Sequence, residues 1–147
     1  MTIFTIGFTK KSAKEFFELL KSNDIQSLID VRLNNKSQLA GFAKGRDLDF
    51  FLDEICDIKY YHELEFAPEE ELLKKWQKGE LSWDEYTEWY IGLLSKKRAE
   101  KVFKVRYSDA GNVCLLCTEP TPEHCHRRLL AEYLQKHIDG KVEIVHL

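Results

Sequence analysis

Apolar positions along the chain follow two periods that take turns. Short, nearly continuous runs at Ile3–Ile6, Ile25–Val31, Ile58–His62, Val113–Cys117 and Val142–Val145 have strand length, and several are rich in β-branched residues. Such runs are the pattern of parallel strands covered on both faces. Between them apolar residues recur at helical spacing: Phe16, Phe17, Leu19 and Leu20, then Leu48, Phe51, Leu52 and Ile55. Trp83, Tyr86, Trp89, Tyr90, Leu93 and Leu94 follow, and Leu129, Leu130, Tyr133 and Leu134 mark the last helix. Start signals agree with these periods. Thr9 or Ser12 can cap the first helix, Pro68 with Glu69–Glu71 opens one that stops at Gly79, and Ser82 with Glu85 has the spacing of a capping box. Leu33 to Arg46 has no clean period and reads as a long loop, a length uncommon in compact domains without a functional reason.

Alternating strands and helices predict one α/β domain over residues 1–147. Three layers are expected, around a mainly parallel, Rossmann-like sheet of about five strands. Right-handed crossovers suggest the order 3-2-1-4-5, with the reversal between the first and fourth strands. The carboxyl ends of strands one, two and four then converge. That brings Gly7-Phe8-Thr9, Asp30–Arg32 and Cys117–Glu119 around one crevice, faced by Cys125-His126-Arg127 from a helix start. The aromatic stripe from Trp83 reads first as core and second as a binding face.

Composition changes this picture little. Of 147 residues, 44% are hydrophobic and 32% charged, an ordinary globular balance. No apolar run approaches the roughly 20 residues that span a bilayer, and Met1–Ile6 reads as a strand and not a signal peptide, so a cytoplasmic protein without a membrane partner is expected. A net charge of -3 disfavours non-specific nucleic-acid binding and leaves room for a local basic patch. The four cysteines are expected as reduced thiols, with Cys56 and Cys114 packed in the core.

Three chemistries compete for the crevice. In the first, Cys125 enters the opening turn of a helix beside His126 and Arg127. The helix field and positive neighbours favour its thiolate, with Cys117 as partner and His126 as acid or base. Glu119, if close, would oppose that effect. In the second, Arg32 and Arg127 hold a small anion with Thr9 at the first strand end, and Asp30 or Glu119 orients a guanidinium. The third is metal binding. Cys114-x-x-Cys117 has a ligand-like spacing, but residues three apart on a strand face opposite ways, and adjacent Cys125 and His126 converge poorly from a helix. No metal site is therefore expected. The absence of a Rossmann glycine fingerprint and of a P-loop disfavours the standard nucleotide modes, and no cofactor is assigned.

Thr5-Ile6-Gly7, Asp30-Val31-Arg32, Leu116-Cys117-Thr118-Glu119 through Cys125-His126-Arg127, and Val145-His146-Leu147 together resemble the uncharacterised family called domain of unknown function 488. Many members carry His-Ser after the first glycine, where this chain has Phe8-Thr9, and a proline-containing segment where it has Leu33–Ser37. The resemblance implies the fold and the place of the site, and no assigned activity. The expected function is binding of a small anionic ligand at a cysteine/arginine site, with thiol-based catalysis. The alternative is a non-catalytic binding or interaction domain using the 33–46 loop and the Trp83–Trp89 helix.

Overall fold

The computed structural model describes residues 1–36 and 40–147. Among the described residues five strands occur, β1 (Thr2–Gly7), β2 (Ser27–Asp30), β3 (Lys59–His62), β4 (Val113–Cys117) and β5 (Glu143–His146), and every neighbouring pair is parallel. The helices are α1 (Ala13–Ser22), α2 (Gly45–Phe51), α3 (Glu70–Gln77), α4 (Trp83–Lys97), α5 (Ala99–Tyr107) and α6 (His126–His137). Leu52–Cys56 extends α2 as a π-helical turn, and short 3-10 turns occupy Gly41–Ala43 and Leu64–Phe66. The expected loop over residues 33–46 is thus partly a turn and the start of α2, while its positions 37–39 lie outside the described residues.

The sheet order is β3-β2-β4-β1-β5, which corrects the expected 3-2-1-4-5. The central place goes to β4, Val-Cys-Leu-Leu-Cys, whose five residues are all buried, whereas β1 has threonines at its first and fourth positions. An all-apolar strand gains most from having a neighbour on each edge and helices on both faces. The edge strands β3 and β5 are correspondingly half-exposed.

Local signals set the helices. Ser12, not Thr9, caps α1, its hydroxyl accepting the Glu15 N–H at 3.1 Å. Ser82 and Glu85 form the capping box at α4, and Arg98, left-handed at φ 54°, separates α4 from α5. Pro68 stands two residues ahead of α3, outside it.

Two cores result, one on each face of the sheet. Phe16, Phe17 and Leu20 of α1 and Leu48 of α2 pack on Ile6, Leu28, Cys114 and Leu116. On the other face, Tyr86 and Tyr90 of α4, Phe103 of α5 and Leu130 of α6 pack on Ile3, Ile29, Leu115 and Cys117. Connections leaving β1 and β2 therefore run over one face, and the one leaving β4 runs over the other. Strands whose connections part in this way leave a gap beyond their carboxyl ends, the usual place for a ligand in open α/β sheets. With β4 between β2 and β1, such a gap lies on both sides of Cys117.

Candidate functional site

Beyond β1 and β4 the gap is closed by the chain itself. Thr9 donates from both its hydroxyl (2.6 Å) and its backbone N–H (3.2 Å) to the Thr118 carbonyl. Gly7 passes so near the following turn that a Cβ there would lie 1.6 Å from the Glu119 carbonyl oxygen. This contact, and not a positive φ, is what requires glycine. Thr9 thus fastens the turn after β4.

Beyond β2 and β4 the gap stays open as a crevice of about 610 Å3, lined among others by Arg32, Asn34, Trp76, Cys117, Cys125 and His126. Cys117 ends β4 on its floor. Cys125 is the N-cap of α6, with extended backbone (φ -134°, ψ 136°), not a residue of the first helical turn. That one residue of extended chain turns its side chain inward beside that of His126. The ligand atoms of Cys117, Cys125 and His126 lie within 4.8 Å of one another. This corrects the expectation that adjacent Cys125 and His126 would not converge. Cys114 does lie on the opposite face from Cys117, as the strand alternation requires.

The imidazole is fixed in one tautomer. Its Nε2 lies 2.8 Å from the Val31 carbonyl oxygen, which can only accept, so Nε2 carries the proton. Cys117 Sγ stands against the ring, 3.4 Å from Nδ1 and 3.8 Å from Nε2. Tyr90 packs edge-on against the ring, their centroids 5.5 Å apart.

The thiols share their acidity unequally. Burial alone would raise Cys117, but hydrogen bonds from Cys125 and from the Thr118 and Glu119 backbone N–H groups, with Arg127 close by, hold it below the ordinary cysteine value. Cys125 is pushed well above it by burial, by the bond it donates to Cys117 and by the charge there, which outweigh His126 and Arg127. The order is the reverse of the one expected from position. Cys117 Sγ adjoins the His126 ring, and Cys125 Sγ receives the Arg127 N–H.

Arg127 and Arg32 have separate partners. Arg127 is fully buried and donates to the Glu119 backbone carbonyl (2.6 Å), to Cys125 Sγ (3.4 Å) and to the Thr5 hydroxyl (3.4 Å). The Glu119 side chain itself is exposed. Among the described residues no carboxylate pairs with Arg127, and its Nη2 has no partner. Arg32 is held by Asp30, from Nε at 2.9 Å and from Nη2 at 2.7 Å, and lies over the Phe8 ring 5.0 Å from its centroid. Tyr60 donates to the same carboxylate at 2.6 Å, and Arg32 Nη2 also reaches the Ala43 carbonyl at 2.7 Å. Arg32 Nη1 is buried with no partner among the described residues. Phe8, which stands where many members of the family it resembles have histidine, is buried and forms the seat of this guanidinium.

One wall of the crevice is aromatic. Trp76 of α3, Tyr86 of α4 and His124 line it, with Trp83 stacked on Tyr86 at 5.1 Å and 5.0 Å from the His124 ring. Trp76 has no place in any local sequence motif, whereas His124 immediately precedes Cys125 in the segment from Cys117 to Arg127. Within the expected stripe, Tyr86 and Tyr90 are core, whereas Trp83 and Trp89 remain half-exposed. Cys56 is only half-buried, and all four cysteines are free.

Fold and site together define a parallel α/β protein with a thiol–imidazole crevice at the carboxyl end of its central strand. The chain belongs to the DUF488 family: residues 12–134 match the model described as domain of unknown function DUF488. No curated protein and no solved structure matches the chain. No helix among the described residues is long and apolar enough to cross a membrane.

Proposed function

We propose that the crevice binds a small anionic molecule and that the Cys117 thiolate is its reactive group. The observation that carries this reading is the fully buried Arg127, which has neutral hydrogen-bond partners and no carboxylate among the described residues. An uncompensated buried charge costs several kcal/mol. A thiolate at Cys117 supplies the missing negative charge, and the guanidinium and thiolate then stabilise each other. The arrangement is a cysteine–histidine pair of the nucleophilic kind, in which Nδ1 of His126 takes the thiol proton or returns it. Cys125, by donating to Cys117, is a positioning residue.

In this reading Arg32 and not Arg127 meets the ligand's charge. It lines the crevice, its other nitrogens are held rigidly by Asp30, and Nη1 is left as a donor. Asp30 orients it. Trp76, Tyr86 and His124 offer an aromatic wall of mutually tilted rings to the rest of the molecule. The aromatic wall also suits a second reading, in which the crevice binds its ligand without turning it over.

Inorganic phosphate tests the anion site. Added to the reduced protein, it is expected to slow alkylation of Cys117 by iodoacetamide and to change tryptophan fluorescence through Trp76. Both effects should be lost in Arg32→Met, provided that variant remains folded by circular dichroism. If saturating phosphate changes neither signal in the natural protein, the anion reading is overturned.

A further inference from the structure

We propose that Cys117, Cys125 and His126 form a three-ligand site for a soft divalent cation of the zinc type, with the fourth coordination position open to the crevice. The inference goes beyond the thiol reading and does not depend on it. An ion bound there masks both thiols, so the two readings describe the loaded and the metal-free protein.

Geometry is the first support. Around a tetrahedral zinc with ordinary Zn–S and Zn–N bonds, adjacent sulfur and nitrogen ligands stand about 3.6 Å apart. Cys117 Sγ and His126 Nδ1 are separated by 3.4 Å, and all three ligand atoms fall within 4.8 Å of one another. Closing this set on an ion requires the His126 ring to turn, because Cys117 Sγ now faces the ring, 3.4 Å from Nδ1 and 3.8 Å from Nε2.

The surroundings are the second support. Metal-bound histidines usually donate their other ring N–H to a carbonyl or carboxylate, which fixes the tautomer and strengthens the ligand. His126 does this through Nε2 to Val31, which leaves Nδ1 as the ring nitrogen free to ligate. Arg127 donates to Cys125 Sγ at 3.4 Å, so a fixed positive charge adjoins the sulfur pair.

Charge and access then define what the fourth position takes. Two thiolates balance a divalent ion, and any thiol protons still present pass to solvent on binding. Arg127 leaves one positive charge over, so the open position favours an anionic ligand, a hydroxide or the acidic group of a small molecule. All three residues line the crevice, whereas Cys114 lies across the sheet and cannot close the set. Three protein ligands with an open position are the pattern of catalytic and not of structural zinc sites.

The test is titration of the reduced, metal-free chain with cobalt(II). One equivalent is expected to produce the intense visible bands of tetrahedral cobalt and a near-ultraviolet thiolate-to-cobalt band, both abolished by zinc. Cys117→Ser, Cys125→Ser and His126→Ala should each weaken binding by more than the roughly 10–100-fold that losing a supporting residue costs. Cys56→Ser and Cys114→Ser should bind as the natural protein does. Absence of the thiolate band in the natural protein, or a band that survives Cys117→Ser, overturns the proposal whether or not the other variants fold. Alkylation of the metal-free protein separates the two readings. Early reaction of Cys117 without a cobalt spectrum defeats the metal site alone, and a cobalt spectrum with ordinary thiol reactivity defeats the thiol reading alone.

Discussion

Replacing Asp30 by alanine is expected to destabilise the protein by about 3–5 kcal/mol, the cost of breaking a buried ion pair from one side. Asp30 is fully buried and its carboxylate is saturated. Oδ1 accepts from Arg32 Nε at 2.9 Å and from the Arg32 backbone N–H at 3.1 Å, while Oδ2 accepts from Arg32 Nη2 at 2.7 Å and the Tyr60 hydroxyl at 2.6 Å. Removing it strands a guanidinium that is only 3% exposed and leaves Tyr60 without its acceptor. The double variant Asp30→Ala/Arg32→Met should regain much of the loss, because replacing both members of a buried pair by apolar groups is often close to neutral. Urea unfolding checks this through a fall in midpoint at constant slope. A loss below about 1 kcal/mol would place the pair with exposed salt bridges, against its burial.

The second large effect is expected from a single methyl group. Gly7→Ala places a Cβ 1.6 Å from the Glu119 carbonyl oxygen, 2.7 Å from its carbon and 3.0 Å from Arg127 Nη1. Two of those atoms are backbone and cannot rotate away, so the turn after β4 has to retract. Retraction strains the Thr9–Thr118 hydrogen bonds, breaks the one from Arg127 to Glu119, and moves the Thr118 and Glu119 N–H groups off Cys117. Overpacking of a tight site costs about 1–3 kcal/mol, and here the upper end is expected, together with loss of the low-pH reactivity of Cys117. Gly92→Ala is the control. Gly92 lies within α4 with open space where its Cβ would be, and alanine there should stabilise by roughly 0.5–1 kcal/mol. Equal effects at the two glycines would contradict the close approach at Gly7.

The crevice was legible in the sequence although the strand order was not. Strand-end residues Gly7, Arg32 and Cys117 were expected to meet because β1, β2 and β4 were expected to be neighbours. They remain neighbours when β4, and not β1, takes the middle place. Strand length and apolarity locate the sheet, but both orders satisfy right-handed crossovers, so only packing separates them. The thiol acidity was misread for a related reason. A helix start favours a thiolate when the sulfur faces its free N–H groups, and whether Cys125 does so depends on the backbone angles of one N-cap residue. The sequence shows neither its burial nor the turn that curls two N–H groups onto Cys117. Trp76 was missed because it reaches the crevice from a helix that shares no period or motif with it, and His124, although it adjoins Cys125, because its position alone does not show that its ring lines the wall.

The central claim is that Cys117, held by Cys125, Thr118, Glu119 and Arg127, is the acidic thiol of this site. The most direct measurement is the pH dependence of alkylation of the reduced, metal-free protein by iodoacetamide, followed at each cysteine by mass spectrometry. Cys117 has a lowered pKa, so its thiolate persists as pH falls below the ordinary cysteine value of about 8.5. Its rate, relative to its own maximum, should therefore rise at lower pH than for Cys125, whose proton is held in the bond to Cys117. The account is contradicted if Cys125 titrates first, or if Cys117 gains reactivity only at or above the pH of a free cysteine.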